Sequence, residues 1–402
     1  MYKVLRTVRG IDIEHCADTP PKSSSGSEPY KMDKRDIEDM PPITEHGTTV
    51  ELREAFYNPH TTPDRDLTIA VLAAFDRMVD PIESYLDTFA ATGIRGLRAA
   101  SELKLAVTLN DRDPDATYLI RQNIALNSLE SSCVVTNEDA NVLLHQRRFD
   151  VVDIDPFGSP APFLAAASRS AIRLLCITAT DTAPLCGAHL NAGIRKYASV
   201  PMNNEYHAEI GVRVLMGAIA RALAVQEKAM VPLLAYARRH YVRVYAKVLK
   251  SVSSADMSMQ ELGFIAHCRH CSFRTWAAGL APVIHESCPV CGSRVVATGP
   301  LWLGRLHDPA FLGSVLSELI DRESDKKSIK LVEMCRDEID APTFYDQHKI
   351  CRALKIPPVR IDAVVDKLRD FGFAASRTHF SGTSFKTDAD IRVIAEILSK
   401  GR

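Results

Sequence analysis

The chain has 402 residues, 46% of them hydrophobic and 25% charged, with a formal net charge of −1 at pH 7. That length exceeds what one compact core supports, so two or more domains are expected. The balanced charge excludes a global basic field, so any nucleic-acid partner must be met by local patches. No apolar run approaches the roughly 20 residues that span a bilayer, so no membrane partner is expected.

The opening MYKVLRTVRGIDIEH lacks the apolar centre of a secretory signal. Ten cysteines without such a signal point to a reducing, cytoplasmic location, where cysteine clusters are more often metal ligands than disulfides. Residues 1–42 read as a linker-like extension, because DTPPKSSSGSEPY is a Pro/Ser/Gly stretch that should not pack. Over 43–255, strand-like runs alternate with helical patterns, the signature of an α/β fold with a parallel, Rossmann-like sheet. The runs are SYLDTFA (84–90), LAVTLND (105–111), SCVVTNED (132–139), FDVVDID (149–155), LLCITATD (174–181) and YVRVYAKV (241–248). GIRGLRAASEL and DATYLIRQNIALN are helical candidates between them, and 203–229 forms one longer helical pattern. A C-terminal domain, 256–402, holds a Cys-rich module at 264–300 and an α+β segment at 310–402. Its order of helix, Pro-marked turn, helix and hairpin is compatible with a winged helix.

Ligands of open α/β sheets bind at the carboxyl ends of strands. LDTFAATGIRGLRAA (86–100) is a strand, a small-residue turn and a helix. Gly93 and Gly96 let backbone approach a ligand at the helix N-terminus. Ala91 stands where a dinucleotide fingerprint has its first glycine, so the loop alone is equally well a structural turn. Asp111 lies 18 residues after Gly93, at the next strand tip, where a carboxylate grips ribose hydroxyls. Asp139 closes the third strand and could accept from an adenine amino group, or could cap the helix that DANVLL suggests. Asp155 closes the fourth. Together these tips suit an adenosine-type ligand lying across the sheet edge.

DVVDIDPFGSP (150–160) then sets Asp155 and Phe157 on a turn fixed by Pro156 and opened by Gly158. Hydride transfer explains those two residues poorly, and methyl transfer from S-adenosylmethionine to an exocyclic amine explains them well. The amine lone pair is delocalised into its ring. A carboxylate accepting its N–H bonds favours pyramidal geometry, and orienting the lone pair in line with the methyl lowers the barrier further. An aromatic ring beside the acceptor stacks on a base turned out of its helix. The alternative is that Asp155 caps a helix starting near Pro160 while Phe157 fills core space. Core packing is likewise the ordinary reading of Phe56 and Tyr57, and a solvated charge that of Arg65.

FYNPHTTPDRD (56–66), ATGIRG (91–96), DANVL (139–143), DIDPFGSP (153–160) and TDTAPLCG (180–187) together resemble the tRNA guanine-26 N2-dimethyltransferase family, in consistent order from about 43 to 300. The resemblance implies a class I methyltransferase fold acting on tRNA with S-adenosylmethionine. It implies that Asp155 is the carboxylate at N2, and that Phe157 and Phe56 hold the base. By the same resemblance Arg65 closes over the cofactor with Arg95 beneath it. Asp111 takes the ribose, and Asp139 with the Ala140 backbone takes the adenine. His46, in ITEHGTT, departs from the family's pattern.

Cys268, Cys271, Cys288 and Cys291 give C-x2-C-x16-C-x2-C, four thiolates for a closed structural Zn2+ site. His267, His270 and His285 lie close by as bystanders. The other six cysteines (Cys16, Cys133, Cys176, Cys186, Cys335 and Cys351) are scattered and need no special role. YARRHYVRVYAK (236–247) interleaves Arg238, Arg239, Arg243 and Lys247 with three tyrosines. That is either a phosphate-contacting face or a solvated edge strand. An amino-methyltransferase for ribosomal RNA or DNA, and a non-catalytic nucleic-acid binder, stand as the other functional readings. A monomer is expected.

Overall fold

A computed structural model describes residues 41–53 and 55–399. The reading of 1–42 as a linker falls almost wholly outside them. β1 (Ile43–Glu45) and β2 (Thr48–Val50) open the described chain as a hairpin. Its turn residues His46 and Gly47 have φ of 46° and 79°. Two positive φ angles match the twist of a two-residue hairpin, and histidine tolerates them better than most side chains.

Five strands run parallel: β3 (Ser84–Asp87), β4 (Ala106–Asn110), β5 (Cys133–Thr136), β6 (Phe149–Ile154) and β7 (Ala171–Ala179). β8 (Lys228–Arg238) and β9 (Tyr241–Lys250) form an antiparallel hairpin whose second strand inserts beside β7. The sheet order is therefore β5-β4-β3-β6-β7-β9-β8, a Rossmann-like arrangement. Val151, Val152 and Ile154 are wholly buried, as strands covered on both faces require. The order reverses between β3 and β6. The loops that follow them diverge there and leave a crevice at the strand ends.

The expected alternation of runs and helices recurs here, with two differences. The 203–229 pattern is a shorter helix, His207–Ala224, because Glu227 turns at positive φ and Lys228 starts β8. Lys228 is held there by the carbonyls of Ser168 and Ala171, 2.8 and 2.6 Å from its ammonium. The helix Thr62–Met78, which was not among the expected helices, takes in the end of the FYNPHTTPDRD motif.

β10 (Leu262–Cys268), β11 (Arg274–Ala278) and β12 (Val295–Trp302) make a small antiparallel sheet, order β11-β10-β12. It rests on the His207–Ala224 helix, where buried Arg213 donates to the Trp302 and Gly304 carbonyls, each at 3.0 Å. Helices Pro309–Asp321 and Lys326–Asp337 return to the first helix. There Arg77 meets Glu318 at 2.6 Å, and the Ser328 hydroxyl donates to the Pro63 carbonyl at 3.2 Å. Finally β13 (Tyr345–Asp346), helices Gln347–Leu354 and Ile361–Asp370, β14 (Ala375–Thr378), β15 (Ser381–Thr387) and helix Ile391–Ser399 close a second core. Val364, Leu368, Phe385 and Ile394 fill it. No helix among the described residues is long and apolar enough to cross a membrane.

Candidate active site

The crevice is lined first by the turn after β3. Ala91 has φ 50°, so the missing glycine is replaced by an alanine that takes up the left-handed conformation itself. Gly93, at φ 82°, starts the helix Ile94–Leu103. A Cβ on Gly96 would lie 2.9 Å from Leu109 Cδ2, so the glycine there lets helix and strand close up. Asp111 accepts from the Ala91 N–H at 3.0 Å with one oxygen and from the Asp113 N–H at 3.0 Å with the other. It thus ties the loop to the second strand tip while its remaining lone pairs face outward. Asp139 caps the helix Ala140–Gln146, accepting from the Asn141 N–H at 2.9 Å, with Ala140 buried behind it. Asn110, which the sequence reading missed, cross-links these tips: its amide donates to the Thr88 and Glu138 carbonyls and accepts from Thr136.

The fourth tip is an ion cluster. Arg243 grips buried Asp153 with two hydrogen bonds of 2.7 and 2.8 Å, and the Tyr85 hydroxyl donates to the same carboxylate at 3.1 Å. Arg95 lies 3.5 Å from Asp153 and pairs closely with Asp155. Burial alone would raise the Asp155 carboxyl, but the Arg95 and Arg243 guanidiniums hold it below its ordinary value. Its side chain keeps 28% of its surface open, so an ionised acceptor faces the crevice. Burial pushes neighbouring Asp87 the other way, up to about 7, against the pull of Arg95 and with added repulsion from Asp153 and Asp155. Arg95 Nε is buried without a hydrogen-bond partner. An unspent donor, bare glycine backbone and two outward-facing carboxylates fit an adenosine-type ligand that also carries a carboxylate.

Asp155 caps no helix; the next turn begins at Ala161 and carries no side-chain cap. Phe157 is 80% exposed and Phe56 54%, so neither fills core space. Their rings meet edge to face with centroids 4.9 Å apart. Gly158, at φ 85°, lets the turn bend back, and its N–H donates to the Thr180 hydroxyl at 2.8 Å. A cleft of about 280 Å³ continues along the same sheet edge past Asp181, lined by Thr182, Asn203, His207, Arg239 and Tyr241.

Arg65 is not a solvated charge. It is buried and committed: Nε donates to Glu45 at 3.0 Å, a terminal nitrogen to Thr61 at 2.6 Å, and the other to Glu45, Thr62 and Asn58. Tyr57 donates to the same Glu45 at 2.8 Å. Phe56 is therefore held from both sides by a hairpin pinned to a helix. The arginine–tyrosine stripe of 236–247 also differs from expectation. β9 is an interior strand, so Arg243 and Tyr245 are buried; Tyr236, on the edge strand β8, is buried as well, and Arg239 in the β8–β9 turn is exposed.

At the far end of β10 the four cysteine Sγ atoms lie within 4.8 Å of one another, with 3.5 Å between Cys268 and Cys291 and between Cys271 and Cys288. Two tight turns present them, with Ser272 donating to the Cys268 carbonyl and Gly292 to that of Cys288, each at 2.9 Å. Such spacing suits four thiolates around one tetrahedral ion.

Residues 36–399 match the family model described as N2,N2-dimethylguanosine tRNA methyltransferase. The chain is 50% identical over 352 residues to the tRNA (guanine(26)-N(2))-dimethyltransferase of Methanosarcina mazei, covering 85% of this chain and 91% of that protein. It is 45% identical to the protein of the same name from Haloarcula marismortui, covering 85% and 93%. A solved structure of Trm1 from Pyrococcus horikoshii with S-adenosyl-L-methionine superposes with a TM-score of 0.81 at 34% identity, covering 89% of this chain and 99% of that one. With a family match over nearly its whole described length, the chain belongs to the N2,N2-dimethylguanosine tRNA methyltransferases.

Proposed function

We propose that the protein methylates the exocyclic N2 of guanine 26 in tRNA, using S-adenosylmethionine, first once and then again to give N2,N2-dimethylguanosine. Family membership supports the reaction class. The observation that carries the residue assignment is the exposed Phe56–Phe157 pair beside an ionised Asp155 at the topological switch point.

When bound, S-adenosylmethionine supplies an electrophilic methyl group on its sulfonium. Asp155 accepts an N–H of the guanine amine, favours a pyramidal nitrogen and receives the proton that the nitrogen sheds. Phe157 and Phe56 offer rings to a base turned out of its stack, a contact worth about 1–3 kcal/mol per base. Arg95 keeps Asp155 charged and turns its free Nε toward the cofactor. Asp111 takes the ribose, and Asp139 with the Ala140 backbone takes the adenine. Arg65, seated on Glu45, closes over the cofactor and holds the Phe56 segment in place.

Cys268, Cys271, Cys288 and Cys291 hold a structural Zn2+. The 343–399 region is a winged helix that, with exposed Arg239, extends the RNA-binding face. The enzyme works as a monomer in the cytoplasm. The experiment mixes the purified chain with labelled S-adenosylmethionine and unmodified tRNA transcripts, then identifies the modified nucleoside. N2-methyl- and N2,N2-dimethylguanosine are expected, and are lost when guanine 26 is replaced. Label on another base, or only on DNA or ribosomal RNA, overturns the substrate assignment.

A further inference from the structure

Away from the crevice, three donors from distant stretches of chain converge. His307 lies in the loop after β12, Cys335 on the helix Lys326–Asp337, and His379 in the turn joining β14 to β15. Each brings one ligand atom, and the three atoms lie within 4.8 Å of one another. Cys335 is wholly buried and His307 is 7% exposed, while the His379 side chain is closed off from solvent.

The hydrogen bonds of this cluster are incomplete in one direction. Both ring nitrogens of His307 and Nε2 of His379 are buried with no hydrogen-bond partner. Native proteins leave few buried polar atoms in that condition, and each calls for a physical cause. The two rings stand edge to face with centroids 5.4 Å apart. His379 Nδ1, by contrast, lies 2.8 Å from the Glu338 carboxylate. A carboxylate on one ring nitrogen fixes the tautomer and leaves the other nitrogen free as a ligand, the support that metal-bound histidines ordinarily have. Lys386 stands 2.9 Å from Glu338 and 2.9 Å from Glu209, so the surrounding charges are already paired.

We propose that His307, Cys335 and His379 bind a second Zn2+ ion, separate from the four-cysteine site. Two neutral imidazoles and one thiolate suit a borderline-soft ion, and three protein ligands leave a fourth position for water. The Cys335 thiol gives up its proton to solvent on binding, and Glu338 lies behind His379, on the far side of the ring from the resulting single positive charge. The ion joins the β14–β15 hairpin to the Lys326–Asp337 helix and to the loop behind β12. It therefore fixes the C-terminal α+β unit against the returning helix and the loop that leaves the small antiparallel sheet.

The test loads the full-length chain with excess zinc, removes free metal by gel filtration and counts bound ions by elemental analysis. Wild type is expected to hold about two per chain, and Cys335→Ser and His379→Gln about one each, with unchanged circular dichroism. Cys268→Ser should leave the second ion in place. Loading with Co2+ gives an independent reading: Cys335→Ser loses one thiolate-to-cobalt charge-transfer contribution and keeps those of the four-cysteine site. Because the readout is the difference between wild type and variant, it does not depend on how fully the first site is loaded. Zinc content and cobalt spectrum unchanged by both Cys335→Ser and His379→Gln would overturn the proposal.

Discussion

Asp155 owes its usefulness to its neighbours. Arg95 pairs with it directly, and Arg243, anchored on Asp153, adds a second positive field. Removing one of them should therefore show in the pH profile. At saturating S-adenosylmethionine, Arg95→Gln should raise the Asp155 carboxyl and move the acid limb of the single-turnover rate toward neutral pH. Wild type should keep its rate below the ordinary carboxylate range near about 4. An acid limb unchanged by the substitution would detach Arg95 from the acceptor. The turn that carries Asp155 and Phe157 was legible in the sequence because strand, Pro and Gly mark it. Arg243 was read as either a phosphate contact or an edge-strand charge, because nothing local to YVRVYAKV shows that the strand inserts beside β7 and turns the guanidinium onto Asp153. Asn110 was hidden for a similar reason: its partners sit on two other strand ends.

At the scale of elements, the N-terminal hairpin is held by Glu45, which receives Arg65, Arg98 and Tyr57 together. Burial opposes its charge, yet these partners bring its pKa down to about 2 from an ordinary 4.5. A depressed carboxylate contributes stability that is complete above its unfolded value and is lost as pH falls toward the folded one. Glu45→Gln should cost on the order of 3 kcal/mol at neutral pH, since it takes the carboxylate from buried Arg65, while Arg98 keeps Asp66 and Glu102. The gap in melting temperature between wild type and Glu45→Gln should narrow as pH falls from 4.5 toward 2. A gap constant over that range would place the stabilisation elsewhere. The turn after β3 makes a second prediction. Gly96→Ala would press a methyl against Leu109 and Val107, at 2.9 and 3.1 Å, and should cost about 1–3 kcal/mol in thermal or urea unfolding. No loss would mean that the helix can back away from the sheet. Most strands of the sheet were readable from their apolar runs, but β8 was not among them, and its first two residues were read as the end of a helix. The helix Thr62–Met78 was obscured by the Asn-Pro and Thr-Pro signals at its start, where Asn58 and Pro63 serve as turn and first-turn residues.

Across the whole molecule, the small cysteine-bearing sheet, the two returning helices and the last α+β unit all rest on the methyltransferase sheet or its helices. Loss of the Zn2+ proposed at the four cysteines should therefore reach beyond the module. Chelation, or Cys268→Ser, should lower hydrogen-exchange protection in β10–β12 and in the helix His207–Ala224 that Arg213 ties to them. Protection lost only at the cysteine turns would show the module to be uncoupled. The cysteine spacing announced the module, whereas the hairpin-to-helix closure around His307 and His379 depends on long-range packing that no local pattern records. The account turns on Asp155 as the group that accepts from the guanine amine, and its most direct test compares wild type with Asp155→Ala on tRNA transcripts under single-turnover conditions. The predicted result is a loss of transfer of about 10²–10⁴-fold with S-adenosylmethionine affinity within a few-fold of wild type. Near-normal turnover in Asp155→Ala would contradict it.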